Sequence, residues 1–296
     1  MATNSIIPII IVAGPTASGK SALALSIAEK TGGVIINADS QQLYRELPIL
    51  TARPSPQEEA RISHRLYGIV SASDGCSAGK WLTLARMEID WARSQGKQPV
   101  VVGGTGLYLK ALMQGIADIP AIPPQTRAQA VSDYEQMGRE AFASRLREVD
   151  AGFFERLKAY DRQRLIRAWE VWLSTGRPLS WWQGQGAVPP YPAGAFELRK
   201  VELPRDEIYR RCDARFLKMV EQGAVEEVMA ALQPDGIAGI REKSSLTSGA
   251  LRHIIGVSEI SAYLRGDITL DEAIAKAQQA TRNYAKRQLT WLRRQM

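Results

Sequence analysis

Cysteine and histidine are almost absent: Cys76, Cys212, His64 and His253 are the whole complement of the two types. That excludes a disulfide framework and a four-cysteine zinc site, and it leaves too few ligands for a Cys/His metal cluster. Any metal is expected to be a hard cation held by oxygen, which points to Mg²⁺. Long apolar runs are missing too. No stretch approaches the roughly 18 residues that span a bilayer, and the start, Met1-Ala2-Thr3-Asn4-Ser5, has neither the basic region nor the cleavage pattern of a secretory signal. A cytoplasmic chain with no membrane partner is expected. There is no internal repeat or low-complexity tract. What remains is an ordinary globular composition, 45% hydrophobic and 23% charged over 296 residues, enough for a large core with a smaller satellite.

One motif stands out. Gly14-Pro15-Thr16-Ala17-Ser18-Gly19-Lys20-Ser21 fits the phosphate-loop pattern G-x-x-x-x-G-K-[ST] at every fixed position. Its flanks agree: Ile6 to Val12 reads as a short buried strand, and Ala22 to Ala28 reads as the first turns of a helix. The two glycines let successive N–H groups point inward, where the helix dipole adds to the field. A di- or triphosphate is the expected ligand. Lys20 reaches a terminal phosphate as a point charge, and the Ser21 hydroxyl is placed to ligate the accompanying Mg²⁺.

Two more strands end in polar turns. Val34 to Ser40 closes on Asp39 and Ser40, and Pro99 to Gly106 closes on Gly103-Gly104-Thr105 before a helix from Leu107 to Met113. In an open parallel sheet, ligands bind at the carboxyl ends of strands, so Asp39, Ser40 and Thr105 should converge on the phosphate loop. The fold class is therefore α/β, a parallel sheet of the phosphate-loop NTPase kind flanked by helices. After Gly115 the pattern changes: Pro120, Pro123 and Pro124 interrupt the chain, and Arg127 to Ser174 reads as arginine-bearing helices. The expected organisation is a core over 1–115, a mainly helical insertion over 116–190, and a second core part over 191–296. Trp181 to Pro190 reads as the linker, and Phe196 to Leu203 as a returning strand. The aromatics Trp169, Trp172, Trp181, Trp182 and Tyr191 read as packing for the insertion and its linker rather than as a base-stacking platform.

Charge is unevenly placed. Six basic residues (Lys276, Arg282, Lys286, Arg287, Arg293, Arg294) and no acidic ones lie between Ala273 and Met296, so most of the net charge of +7 sits there. At about 100° per residue, Arg282, Lys286 and Arg293 share one stripe, and Ala285, Leu289 and Leu292 form an apolar seam. Such a helix docks by its seam and offers a cationic face, interleaved with Tyr284 and Trp291, to a phosphodiester backbone; a merely solvated helix is the alternative.

The chemistry is less usual. A phosphoryl-transfer enzyme commonly carries an acid after an apolar strand to hold Mg²⁺, but Val100-Val101-Val102 is followed by glycines and Thr105. Asp39 is the nearest acid, able to face a bound diphosphate and take a proton from a nucleophile. A turn or helix-cap aspartate is the plainer alternative.

Five blocks in order carry a resemblance: Gly14 to Ser21, Asp39 to Arg45, Gly103 to Tyr108, Asp161 to Glu170, and Thr281 to Trp291. Together they resemble the bacterial tRNA dimethylallyltransferases over nearly the whole chain. The resemblance implies transfer of a dimethylallyl group from its diphosphate to N6 of the adenine 3′ of the anticodon, in tRNAs reading codons that begin with U. It implies Asp39, Thr105 and Lys20 as catalytic residues, with Asp39 the base and Thr105 beside adenine and diphosphate. It implies that Gly14 to Ser21, with Arg211 or Arg215, holds the diphosphate. It implies tRNA contacts, to the anticodon stem-loop, from Asp39, Ser40, Gln41, Gln42, Thr105, Arg127, Gln163, Arg164, Leu165, Ile166 and Arg167. Arg282, Lys286 and Arg293 of the cationic stripe join that surface, and a monomer is expected. For Arg164 and Arg167, pairing with Asp161 or Glu170 is the structural alternative. Two departures are visible: Gly256-Val257 stands where the family usually has Gly-Tyr, and His64-Arg65 where it has paired histidines. Open rivals are a phosphate-loop kinase or NTPase acting on a small molecule, a transferase acting on free adenine nucleotides, and an RNA-binding protein regulated by a nucleotide.

Overall fold

The computed structural model describes residues 7–71, 74–157, 161–192, 194–232 and 250–296. Met1 to Ser5, and Ile6 at the head of the expected first strand, lie outside them.

Five strands form one parallel sheet: β1 (Ile9–Ala13), β2 (Val34–Asn37), β3 (His64–Arg65), β4 (Pro99–Gly103) and β5 (Phe196–Lys200), in the order β3-β2-β4-β1-β5. The first strand begins later than its apolar run because Pro8 has no N–H to give the ladder; pairing starts with Ile9 N–H donating to Ala195 O at 2.8 Å. The strand after the insertion stops at Lys200, short of Leu203. Two-residue β3 lies on the edge, too short for any periodicity to reveal.

Between and around the strands run α1 (Lys20–Thr31), α2 (Pro56–Arg61), α3 (Ala78–Ser94), α4 (Gly106–Gln114), α5 (Pro124–Val149), α6 (Ala151–Arg156), α7 (Arg162–Thr175), α8 (Leu179–Gly184), α9 (Arg205–Glu221), α10 (Ala224–Ala231), a 3₁₀ turn (Ala250–His253), α11 (Val257–Leu264) and α12 (Leu270–Gln295). The central strands are buried on both faces. Ile9, Ile11, Val34, Ile36 and Val101 pack on one side with Trp81, Leu109 and Leu112. Ile10, Val12, Ile35, Val100 and Val102 pack on the other with Ala24, Leu25 and Ala28 of α1. Alternating side chains thus serve two apolar layers, the usual reason parallel strands read as continuous apolar runs. Each fully buried side chain contributes about 1.5–3 kcal/mol.

Two compact units result, one from residues 1–113 and 191–296 and one from 114–190. The second has its own core of Ala130, Phe142, Leu146, Leu165, Ile166 and Trp169. Within it, α5 breaks at Gly138, whose φ of 73° and ψ of 166° no helix contains. The expected linker begins later than its composition indicates: Trp181 to Gly184 belong to α8, where Trp182 Nε1 donates to Thr175 Oγ1 at 3.1 Å and Ser180 N–H donates to Asp150 Oδ2 at 3.0 Å.

Candidate active site

The register of the sheet builds the site. Ala13 pairs with Gly103 and Asn37 with Val102, so β1, β2 and β4 end at one level. The phosphate loop, the Asp39 turn and the Gly103–Thr105 turn therefore emerge side by side at the carboxyl edge. The turns approach closely: a Cβ on Gly103 would lie 2.1 Å from Ala38 O, so no larger residue fits there.

The loop adopts the curled backbone its sequence calls for. Ala17 (φ 62°) and Gly19 (φ 91°) lie in the left-handed region, and α1 starts at Lys20 directly after Gly19. Thr16, Ser18 and Lys20 are buried, and Ser18 Oγ has no hydrogen-bond partner among the described residues. A buried hydroxyl left unpaired in the curled loop is what an anion would satisfy. Burial lowers the Lys20 pKa from its ordinary value, against the opposing pull of Asp39, while neighbouring Arg215 pushes it further down. Two cations forced together in a desolvated loop favour a negatively charged occupant.

The structure separates the two candidate arginines of α9. Arg215 donates from Nη2 to Thr16 Oγ1 in the loop, and burial lowers its pKa. Arg211 has its Nε 2.6 Å from Glu207 Oε1 on its own helix, with the side chain 47% exposed. Arg215 is the one of the two that bonds the loop; Arg211 Nη1 would lie 4.0 Å from a Cβ on Gly19.

Asp39 is buried beside it. Asp39 N–H donates to Asn37 Oδ1 at 2.8 Å, and Asp39 Oδ1 accepts from Gln41 N–H at 3.0 Å. Ser40 N–H donates to Thr105 Oγ1 at 2.9 Å, bringing the two turns together. A cleft open to solvent joins these groups. Thr16, Asp39 and Arg215 line its polar part; Leu50, Phe216, Met219 and Ile255 line an apolar part. Cys212 also borders it, but burial pushes its thiol up, which does not suit a nucleophile.

Several expected contacts fall elsewhere. Leu165 and Ile166 are buried in the core of the 114–190 unit, on the inward face of α7, so their side chains are spent on packing. Gln163 and Arg164 stand exposed on the same helix. Arg127 Nη1 lies 3.1 Å from Glu170 Oε2 and Arg167 Nη1 lies 2.5 Å from Glu170 Oε1, around a carboxylate 1% exposed. Gln42 spends its amide on Thr51 O (3.0 Å) and Ala52 O (2.7 Å), holding a loop rather than facing a ligand. On α12, Arg282 turns to Asp213 Oδ1 at 2.5 Å, whereas Lys286 and Arg293 are exposed; the cationic stripe loses its first member to a tertiary ion pair. Trp291 and Tyr284 also leave that face: Trp291 lies against Gly106, and Tyr284 lines the cleft of the site.

Two groups escaped sequence reasoning. Gln288 is buried in the α12 seam, and Glu227 accepts from Ile49 N–H (2.7 Å) and Leu50 N–H (2.8 Å), fixing the segment that brings Leu50 to the cleft. A glutamine between Ala285 and Leu292 in an otherwise apolar stripe was the one signal available.

An anion-binding loop between parallel strand and helix, with its cations and an acid at the same edge, defines a protein of the phosphate-loop class. The chain belongs to the IPP transferase family, whose sequence profile matches residues 42–295. Among its curated relatives, the tRNA dimethylallyltransferase of Rhodospirillum centenum is 50% identical over 98% of this chain and 89% of its own. That of Phenylobacterium zucineum is 49% identical over 97% and 89%. A solved tRNA delta(2)-isopentenylpyrophosphate transferase from Staphylococcus epidermidis superposes with TM-score 0.64 at 29% identity, over 98% of this chain and 91% of that one. A eukaryotic dimethylallyltransferase acting on tRNA gives TM-score 0.80 at 25% identity, over 96% and 69%.

Proposed function

We propose that this chain transfers a dimethylallyl group from dimethylallyl diphosphate to N6 of the adenine 3′ of the anticodon, in tRNAs that read codons beginning with U. Diphosphate is the second product. The observation that carries the reading is the cleft itself: a phosphate loop and a buried carboxylate at one edge, opening onto the apolar group Leu50, Phe216, Met219 and Ile255. A diphosphate joined to a short isoprenoid matches both halves. Near-half identity to curated tRNA dimethylallyltransferases supports the same activity.

On this reading the loop holds a leaving group, and no phosphoryl group moves. The allylic C–O bond breaks, a C–N bond forms to the adenine amine, and the amine loses a proton. Loop amides, Lys20 and Arg215 stabilise the charge gathering on the departing diphosphate. Asp39 accepts the N6 proton and orients the amine, which is a poor nucleophile until a carboxylate bonds it. Thr105 holds the Ser40 turn beside Asp39, and the target base must leave its stack to arrive there. Exposed Arg127, Gln163, Arg164, Lys286 and Arg293, with the half-exposed Arg167, supply the RNA-facing groups.

No cluster of three or more His, Cys, Asp or Glu capable of holding a metal occurs among the described residues. An exposed Ser21 hydroxyl beside the loop fits Mg²⁺, which commonly takes one or two protein oxygens and completes its shell with phosphate and water. When bound, the ion would neutralise charge on the diphosphate.

The test is incubation with labelled dimethylallyl diphosphate, Mg²⁺ and either unmodified tRNA, AMP or ATP. Label in tRNA alone is expected; label in AMP or ATP but not in tRNA would overturn the reading.

A further inference from the structure

Gln288 is 5% exposed, on the stripe of α12 that also buries Ala285 and Leu292. Its Oε1 accepts from Thr16 N–H at 2.7 Å, and its Nε2 donates to Gly104 O at 2.9 Å. Both ends of the amide are engaged, each to backbone, and each to a different strand-end turn. There is no slack: a Cβ on Gly104 would lie 2.2 Å from Nε2 and 2.8 Å from Gly14 O. One turn earlier on the same helix, Tyr284 lines the cleft together with Asp39 and Gln41. Positions four apart share a helix face. One face of α12 therefore grips both the loop that takes the diphosphate and the Gly103–Thr105 turn, whose Thr105 Oγ1 in turn accepts from Ser40 N–H beside Asp39.

We infer that Gln288 is a positioning residue for group transfer. By bonding Thr16 and Gly104 at once, it fixes the distance between the diphosphate in the loop and the amine held at Asp39. It touches neither substrate. No other residue type of similar size keeps both bonds: glutamate sets a second acceptor against Gly104 O, and methionine fills the volume but leaves the N–H and the carbonyl buried without partners. The inference rests on the prenyl-transfer reading above and adds to it a residue that acts through geometry.

The test compares wild type, Gln288→Met and Gln288→Glu in single-turnover transfer to tRNA at saturating substrates. Active sites are counted by titration with inorganic diphosphate, so that loss of folded protein does not count as loss of rate. Displacement of reacting groups by about 1 Å costs on the order of 10²-fold. Gln288→Met is expected to lower the rate per active site about 10- to 100-fold, with KM for both substrates held within about threefold. Gln288→Glu keeps the bond from Thr16 and is expected to fall between that variant and wild type. Should Gln288→Met fail to fold, Gln288→Glu carries the test. A folded variant with the wild-type rate per site, or one whose loss appears only in KM, overturns the inference. Absence of transfer by the wild type itself overturns the functional reading instead.

Discussion

Ser40 gives its backbone N–H to Thr105 Oγ1 at 2.9 Å, joining turns that lie 65 residues apart in the chain. Asp39 precedes Ser40, so the orientation of the carboxylate depends on a hydroxyl from another strand. Substituting Asp39→Ala should leave inorganic diphosphate affinity near wild type and lower turnover about 10²- to 10⁴-fold, the usual range for removing a general base. Thr105→Ala should cost less, because it loosens the turn without removing the base. Turnover close to wild type in Asp39→Ala would remove that residue as the proton acceptor.

Arg215 and Arg211 are four residues apart on α9, and of the two Arg215 hydrogen-bonds the loop while Arg211 pairs with Glu207. A charge-assisted hydrogen bond contributes about 1.5–3 kcal/mol, a factor of roughly 10 to 100 in affinity. Arg215→Ala should weaken inorganic diphosphate binding by that factor in calorimetric titration, while Arg211→Ala changes it by no more than about threefold. The opposite ranking would exchange their roles.

Lys20 carries a pH signature. Burial lowers its pKa below 10.5 in the folded chain. Between the folded pKa and 10.5 the unfolded chain binds more protons, so the contribution of this group to stability rises with pH across that window and is least favourable below it. In ligand-free protein, Lys20→Met should be at least as stable as wild type at neutral pH, and its advantage should shrink as pH approaches about 10. Urea unfolding of both proteins across that range measures the difference. Added inorganic diphosphate should raise the midpoint of wild type alone. A wild type that is the more stable without ligand at neutral pH would contradict the cause assigned to the shift.

The terminal helix divides by role. Lys286 and Arg293 face water, whereas Arg282 is paired with Asp213. Neutralising Lys286 and Arg293 should weaken tRNA binding and flatten its salt dependence, by a slope of about 0.7–0.9 for each phosphate no longer neutralised. Arg282→Ala should leave that slope unchanged. Equal slopes for all variants would make α12 a solvated helix with no part in RNA binding.

Much of this was legible in the sequence, for local reasons. The loop from Gly14 to Ser21 is a contiguous motif, and Asp39 and Thr105 follow apolar runs whose carboxyl ends must meet in a parallel sheet. Features that depend on distant partners were not legible. Gln288 lies 272 residues from Thr16, and nothing near it in the chain announces the bond. Arg282 looked like its stripe-mates until Asp213 of α9 engaged it. Leu165 and Ile166 came in with their block, although helical periodicity turns both inward. Pro8 delays β1, and β3 has two residues, below the length at which a period can be read.

The central claim is that the phosphate loop releases diphosphate as an alkyl group passes to RNA. Its most direct test is nucleoside analysis by mass spectrometry of unmodified tRNA after reaction with dimethylallyl diphosphate, with diphosphate and phosphate measured together. The account predicts one dimethylallyl unit on the adenine 3′ of the anticodon, and one diphosphate released for each unit transferred. Unaltered tRNA with phosphate liberated from ATP would contradict it.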